Sequence, residues 1–277
     1  MSIARWRANN AYMTSATQAE PPLGIPAATV VIFRNGENDA PPEILMQIRS
    51  RTMAFAGGMA VFPGGRVDDA DFELAEAWTA KRELAMPVHE AAHRIAAIRE
   101  TLEEAGLALG MTGAITDQTA KAGREMLDKD NSLAPVLETF GWQLNLDAII
   151  PFARWFPKNE NISRVYDTRF YLADMGTGDV TISADNSETT RLFWVTAQGA
   201  LKMAEEGEIK LIFPTRRNLE RLALFNSFEE ARAQAEAIPV KTIIPQIDES
   251  GDQPMLRIME DAGYPITAEF LDTVMRG

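Results

Sequence analysis

Residues 27–33 (Ala-Ala-Thr-Val-Val-Ile-Phe) and 43–49 (Glu-Ile-Leu-Met-Gln-Ile-Arg) are aliphatic and β-branched, and a polar turn, Asn35–Pro42, separates them. Both runs therefore read as β-strands. The period changes downstream. Pro87 sits where a helix starts, Ile95, Ile98 and Leu102 recur at helical spacing, and Gly106 supplies a stop. Residues 71–85 are helix-like, and 117–142 predict two further short helices. Residues 148–156 and 166–173 are apolar and aromatic enough for paired strands, and Leu192–Val195 is strand-like. Ala197–Glu206, Arg217–Phe225 and Phe228–Ala237 read as helices, the last stopped by Pro239. Beyond it lie Val240–Ile244, Met255–Met259 and a short final helix.

The helix ending at Gly106 carries an unusual concentration of charge. Residues 99–107 read Arg-Glu-Thr-Leu-Glu-Glu-Ala-Gly-Leu. At about 100° per residue, Glu103 and Glu104 fall within roughly 60° of Glu100, with Ile95, Ile98 and Leu102 near the opposite side. One apolar stripe would face a core and one acidic ridge would face out. Carboxylates spaced this way repel, and they lie at the negative end of the helix dipole. A divalent cation with a preference for oxygen ligands would offset both costs. On spacing alone, a solvated acidic face is the other reading.

Upstream, Gly58-Met59-Ala60-Val61-Phe62-Pro63-Gly64-Gly65 is a strand-like run ending in a Pro-Gly-Gly turn. Together with Arg99-Glu100-x-x-Glu103-Glu104-x-Gly106-Leu107, it resembles the Nudix box of the Nudix hydrolases: Gly, five residues, Glu, seven residues, Arg-Glu-apolar-x-Glu-Glu-x-Gly-apolar. Residues 66–98 separate the two halves, 33 residues where that pattern has thirteen, so an insertion of 20 splits the box. Counted back from Arg99, the first Glu of the pattern falls on Ala91, with Glu90 beside it. Thr101 takes a position that is usually apolar.

A second signature overlaps the first. Leu45-Met46-Gln47-Ile48-Arg49-Ser50 through Phe62-Pro63-Gly64-Gly65 resembles the coenzyme A signature of Nudix coenzyme A diphosphatases. Arg49, Ser50, Gly58 and the Phe-Pro-Gly-Gly run are in register, whereas a second Arg of that signature falls on Ala54. The split box, the Trp155 region and Asp167–Leu172 are similar to the acyl-coenzyme A diphosphatase sub-branch, over roughly residues 24–225.

The resemblance implies an α/β protein, a Nudix-type α/β/α sandwich with a mixed sheet, an inserted helical segment and a C-terminal extension. Residues 1–23 would be a flexible arm, 24–225 the Nudix domain with its insertion at about 68–88, and 226–277 an extension packed on it. The implied chemistry is hydrolysis of a pyrophosphate in a nucleoside diphosphate linked to another moiety, here coenzyme A or an acyl-coenzyme A. Glu100, Glu103 and Glu104 are then the ligands of Mg²⁺ or Mn²⁺, with the Gly65 carbonyl and Glu188, from a polar loop, as further candidates. Glu103 and Glu104 are candidates for deprotonating the water, and Arg99 for organising the carboxylates. Arg49, Ser50, Gly58 and Phe55 are the candidate substrate contacts, and Trp155 is either a contact or a core residue. ADP-ribose or a dinucleotide is the alternative substrate. A non-catalytic Nudix-fold nucleotide sensor is the alternative outside enzymology, supported by Ala91 and the split box.

Composition narrows the partners. A formal net charge of −13 disfavours nucleic acid but leaves room for a small anionic nucleotide beside local arginines. The absence of cysteine removes thiol chemistry and disulfides. No run approaches the ~20 apolar residues of a membrane span, and no secretory pattern follows Arg5 and Arg7. A cytoplasmic protein is expected, and the resemblance also suggests a homodimer. His89-Glu90-Ala91-Ala92-His93 matches a zinc-protease pattern, but the chain has no third histidine.

Overall fold

A computed structural model describes residues 24–36, 40–52, 56–82, 86–157, 165–175, 182 and 189–276. The chain begins with β1 (Ile25–Arg34), β2 (Glu43–Arg49), β3 (Ala60–Val61) and β4 (Gly64–Arg66). Helices α1 (Asp69–Thr79) and α2 (Val88–Ala105) follow, then β5 (Met111–Thr112), α3 (Asp117–Asp130), α4 (Ala134–Phe140) and β6 (Gln143–Leu144). Next come β7 (Ile150–Trp155), β8 (Tyr166–Asp174) and β9 (Thr189–Thr196), then α5 (Ala197–Glu205), α6 (Phe213–Leu222) and α7 (Phe228–Ala237). Four short strands, β10 (Thr242–Ile243), β11 (Gln246–Asp248), β12 (Met255–Arg257) and β13 (Ala268–Phe270), precede α8 (Leu271–Arg276).

The main sheet runs β10-β7-β8-β1-β2-β3, with β4 paired to β1 and β9 to β2. It is mixed: β1 is parallel to β8 but antiparallel to β2 and β4. Alternate residues of each strand enter two different cores, as the two-residue period requires. Ala28, Val30 and Ile32 of β1, Leu45 of β2 and Tyr171 of β8 pack with α2, α3 and α4. Val31, Phe33, Met46, Phe170 and Leu172 pack on the other face with α5, α6 and α7. Three layers result, helix–sheet–helix.

The outward acidic ridge expected on α2 is corrected. Alanines at 91, 92, 96, 97 and 105, with Ile95, Ile98 and Leu102, bury most of the helix surface. Strand β4 lies against the remaining side, so Glu104 is also buried, Glu100 keeps only 13% of its side chain exposed, and Glu103 keeps about a third. The inserted helix α1 begins two residues before the predicted start and ends at Thr79, where 71–85 was expected. Helix α6 starts at Phe213 rather than Arg217, because Pro214 fits a first turn. Beyond the main sheet, β11, β12 and β13 form a small antiparallel sheet, and Ile258, Ala262 and Tyr264 from the same segment enter the second core. Among the described residues no helix is long and apolar enough to cross a membrane.

The two histidines of the zinc-like pattern have other engagements. His93 is buried on α2, and its Nδ1–H donates to the His89 carbonyl at 2.6 Å. Glu90 pairs with Arg94 at 2.9 Å and also with Arg169. Burial, reinforced by the Arg169 charge, pushes the His93 pKa down to about 4. The fold therefore favours neutral His93. That contribution is present above an unfolded-state value of about 6.5 and is lost as pH falls through about 4. The linked change is roughly 3 kcal/mol at full protonation. Thermal midpoints measured from pH 7 to pH 4 are expected to fall less steeply for His93→Gln than for the parent chain.

Candidate active site

Arg99 is the centre of the site. It is buried, and its guanidinium reaches five neighbours at once, Asp68 the most distant at 3.6 Å. Nε and Nη2 donate to the Asp71 carboxylate at 3.1 and 3.0 Å, and Nη2 also donates to the Arg66 carbonyl at 2.8 Å. Nη1 lies 2.8 Å from Glu100 Oε1 and 3.2 Å from Glu103 Oε2. A buried guanidinium without such partners would be strongly destabilising. Its surrounding acids hold it firmly protonated, the Glu100 charge most of all, against the opposing effect of burial.

Asp71 was missed on the sequence, and it corrects the alignment of the box. Counted forward from Gly65 with five residues between, the first acid of the pattern falls on Asp71. The insertion therefore lies after that acid, and Ala91 is a core residue of α2. Asp71 also accepts the Asp68 backbone N–H at 3.0 Å, which fixes the first turn of α1. Burial raises its pKa, while Arg99 opposes the rise.

The Gly64–Gly65 turn brings backbone and carboxylates together. Gly64 has φ of +151°, and a Cβ there would lie 2.3 Å from the Ala28 carbonyl, so only glycine fits. Its N–H donates to Glu104 Oε2 at 2.8 Å. A Cβ on Gly65 would lie 2.3 Å from Glu100 Oε1, so glycine leaves the space that Glu100 occupies. Glu104 is held further by Gln47 Nε2 at 2.9 Å, and Gln47 in turn accepts from the Thr189 hydroxyl at 2.7 Å. Gln47 was also missed. The available signal was a polar residue sharing the pleat face of core-forming Leu45.

Glu100 is pushed well above the usual carboxylate range by burial, with Arg99 pulling down and the charges of Glu104 and Glu103 pushing up. Three carboxylates share this corner of the fold, and desolvation penalises the charged form of each. Among the described residues no three acids or histidines converge as a finished metal shell. Oxygen donors under mutual repulsion nevertheless suit a hard divalent cation.

These groups border a cleft of about 780 Å³. Its charged lining includes Arg49, Arg66, Arg99, Glu100 and Glu103, and its aromatic lining includes Phe62, Trp155, Tyr166 and Phe170. Arg49 Nη1 lies 3.8 Å from Glu104 Oε1. Ser50 and Gly58 do not border the cleft: Ser50 pairs with Thr52, and the Gly58 N–H caps the Arg49 carbonyl at 3.0 Å. Phe55 and Ala54, and the loop residue Glu188, lie outside the described residues.

A three-layer mixed-sheet fold with this acidic helix beside a glycine turn is the architecture of the Nudix hydrolases. The structure of a Nudix hydrolase from Alicyclobacillus acidocaldarius superposes with a TM-score of 0.63 at 24% identity, covering 78% of this chain and 97% of that one. In sequence the chain resembles the coenzyme A diphosphatase branch: it is 26% identical over 241 residues to acyl-coenzyme A diphosphatase NUDT19 of Gallus gallus. That alignment covers 68% of this chain and 63% of the relative, so the chain spans less than two thirds of its length. No family model matches the chain.

Replacing Asp71 by Ala would leave the Arg99 guanidinium short of its two-pronged partner. A loss of about 3–5 kcal/mol is expected in urea unfolding, whereas Asp71→Glu should recover part of it.

Proposed function

We propose that the protein is a metal-dependent hydrolase that cleaves the pyrophosphate of a nucleoside diphosphate linked to another moiety, with coenzyme A or an acyl-coenzyme A as the substrate class. The observation that carries this reading is the buried Glu100 carboxyl beside Gly65, in the wall of a cleft lined by both arginines and aromatic rings. The resemblance to an acyl-coenzyme A diphosphatase supports the choice of substrate.

Glu100, Glu103 and Glu104, with the Gly65 carbonyl, would hold Mg²⁺ or Mn²⁺. When bound, such an ion neutralises pyrophosphate charge and makes a coordinated water more acidic. Arg99 fixes Glu100 and Glu103 by direct ion pairs. Glu104 Oε2 already accepts from Gly64 and Gln47. Glu103, with about a third of its side chain exposed, is therefore the better group to take the water proton. Arg49 and Arg66 supply cations for the phosphate oxygens. Water would add at phosphorus, the anhydride P–O bond would break, and coenzyme A would yield 3′,5′-ADP and 4′-phosphopantetheine.

The test is product formation with Mg²⁺ or Mn²⁺ from coenzyme A, acyl-coenzyme A, ADP-ribose and NADH. Cleavage of the coenzyme A compounds is expected, with kcat lowered about 10²–10⁴-fold in Glu103→Gln. Preferred turnover of ADP-ribose or NADH would reassign the substrate. Ligand binding with no turnover of any compound would make the protein a sensor. Gly65→Ala forces its Cβ onto Glu100 and is expected to abolish turnover and to lower the urea midpoint, because it displaces a counter-ion of Arg99.

A further inference from the structure

Trp155 ends β7 and borders the cleft, although it is almost wholly buried. Its indole N–H donates to the Tyr264 hydroxyl at 2.9 Å, and that hydroxyl donates to Asn218 Oδ1 at 2.8 Å. The Trp155 ring also meets Tyr264 edge-on, with centroids 5.7 Å apart, and Phe213 at 5.9 Å. Tyr264 belongs to the C-terminal segment, 109 residues further along the chain.

The segment is pressed closely into place. Gly263 has φ of +83°, and a Cβ there would lie 2.9 Å from Ile238 and 3.2 Å from the Arg221 guanidinium. That guanidinium donates to the Phe152 carbonyl at 3.0 Å and to Gln234 Oε1, and lies 5.4 Å from the Tyr264 ring centre. Tyr264 is thus braced from α6, α7 and β7 together. An indole has one polar atom, and a buried N–H accepts few alternatives to its partner, so the hydrogen bond selects one ring orientation. The residue it orients is one of those that border the cleft.

We propose that Tyr264 is a positioning residue for specificity. By fixing the Trp155 indole, the C-terminal segment sets how well the cleft accepts a long apolar moiety attached to the nucleotide. This rests on the proposed hydrolase reading. Tyr264 acts through Trp155 and takes no part in the bond-breaking step.

Tyr264→Phe keeps the ring and removes the hydroxyl. Steady-state kinetics should show KM for octanoyl-coenzyme A raised about five- to tenfold, with kcat changed less than twofold. KM for ADP-ribose, which lacks the apolar chain, should change less than twofold. In a Trp155→Phe background the effect of Tyr264→Phe should vanish, because no indole N–H is left to orient. Equal changes for both substrates, no change for either, or the full effect persisting in the Trp155→Phe background would overturn the proposal. Calorimetric Kd values for octanoyl-coenzyme A in EDTA give the same comparison without turnover. If no substrate is hydrolysed, the function reading fails, while the selective weakening of binding by Tyr264→Phe still decides the role of Tyr264. Urea unfolding of each variant identifies any that lose the fold, and Tyr264→Trp provides a second bulky aromatic carrying a polar donor.

Discussion

A buried guanidinium organises this protein. Arg99 cannot leave water without several oxygen partners, and the chain supplies them from three places: Asp71 on α1, the Arg66 carbonyl on a strand, and Glu100 and Glu103 on its own helix. Each partner is a carboxylate or carbonyl that would itself be costly to bury alone. The mutual requirement locks α1, β4 and α2 into one arrangement. The carboxylates of the candidate site sit where they do because they are also counter-ions.

That arrangement explains the tension at Glu100. The helix presents Glu100, Glu103 and Glu104 within one turn, the strand closes over them, and Arg99 and Arg49 compensate only part of the charge. Glu104 relaxes its share by accepting from Gln47 and the Gly64 N–H, while Glu103 remains partly in solvent. Similar residue types within five positions thus acquire different surroundings, and with them different aptitudes for holding an ion or accepting a proton. The difference comes from β2 and β4, not from the helix that carries the acids.

Much of this was legible in the sequence. Local periodicity located the long strands and the helix ending at Gly106, and spacing put the three glutamates on one side. Their burial was not legible, because a helix does not announce which of its faces a later strand pairing will cover. Asp71 was hidden by counting in one direction only: backward from Arg99 leads to Ala91 in the core, and forward from Gly65 leads to the acid. Gln47 and Tyr264 meet partners 57 and 109 residues away, and no local pattern encodes such encounters.

The bond between Asp71 and Arg99 joins the two halves of the box directly. Two side chains hold the halves of the box together in space across the 27 residues from 72 to 98. The stretch from 72 to 98 is not slack: Ala75, Ile95 and Ile98 within it belong to the first core. What resembles the box in this chain is a set of distances rather than a string of fixed length.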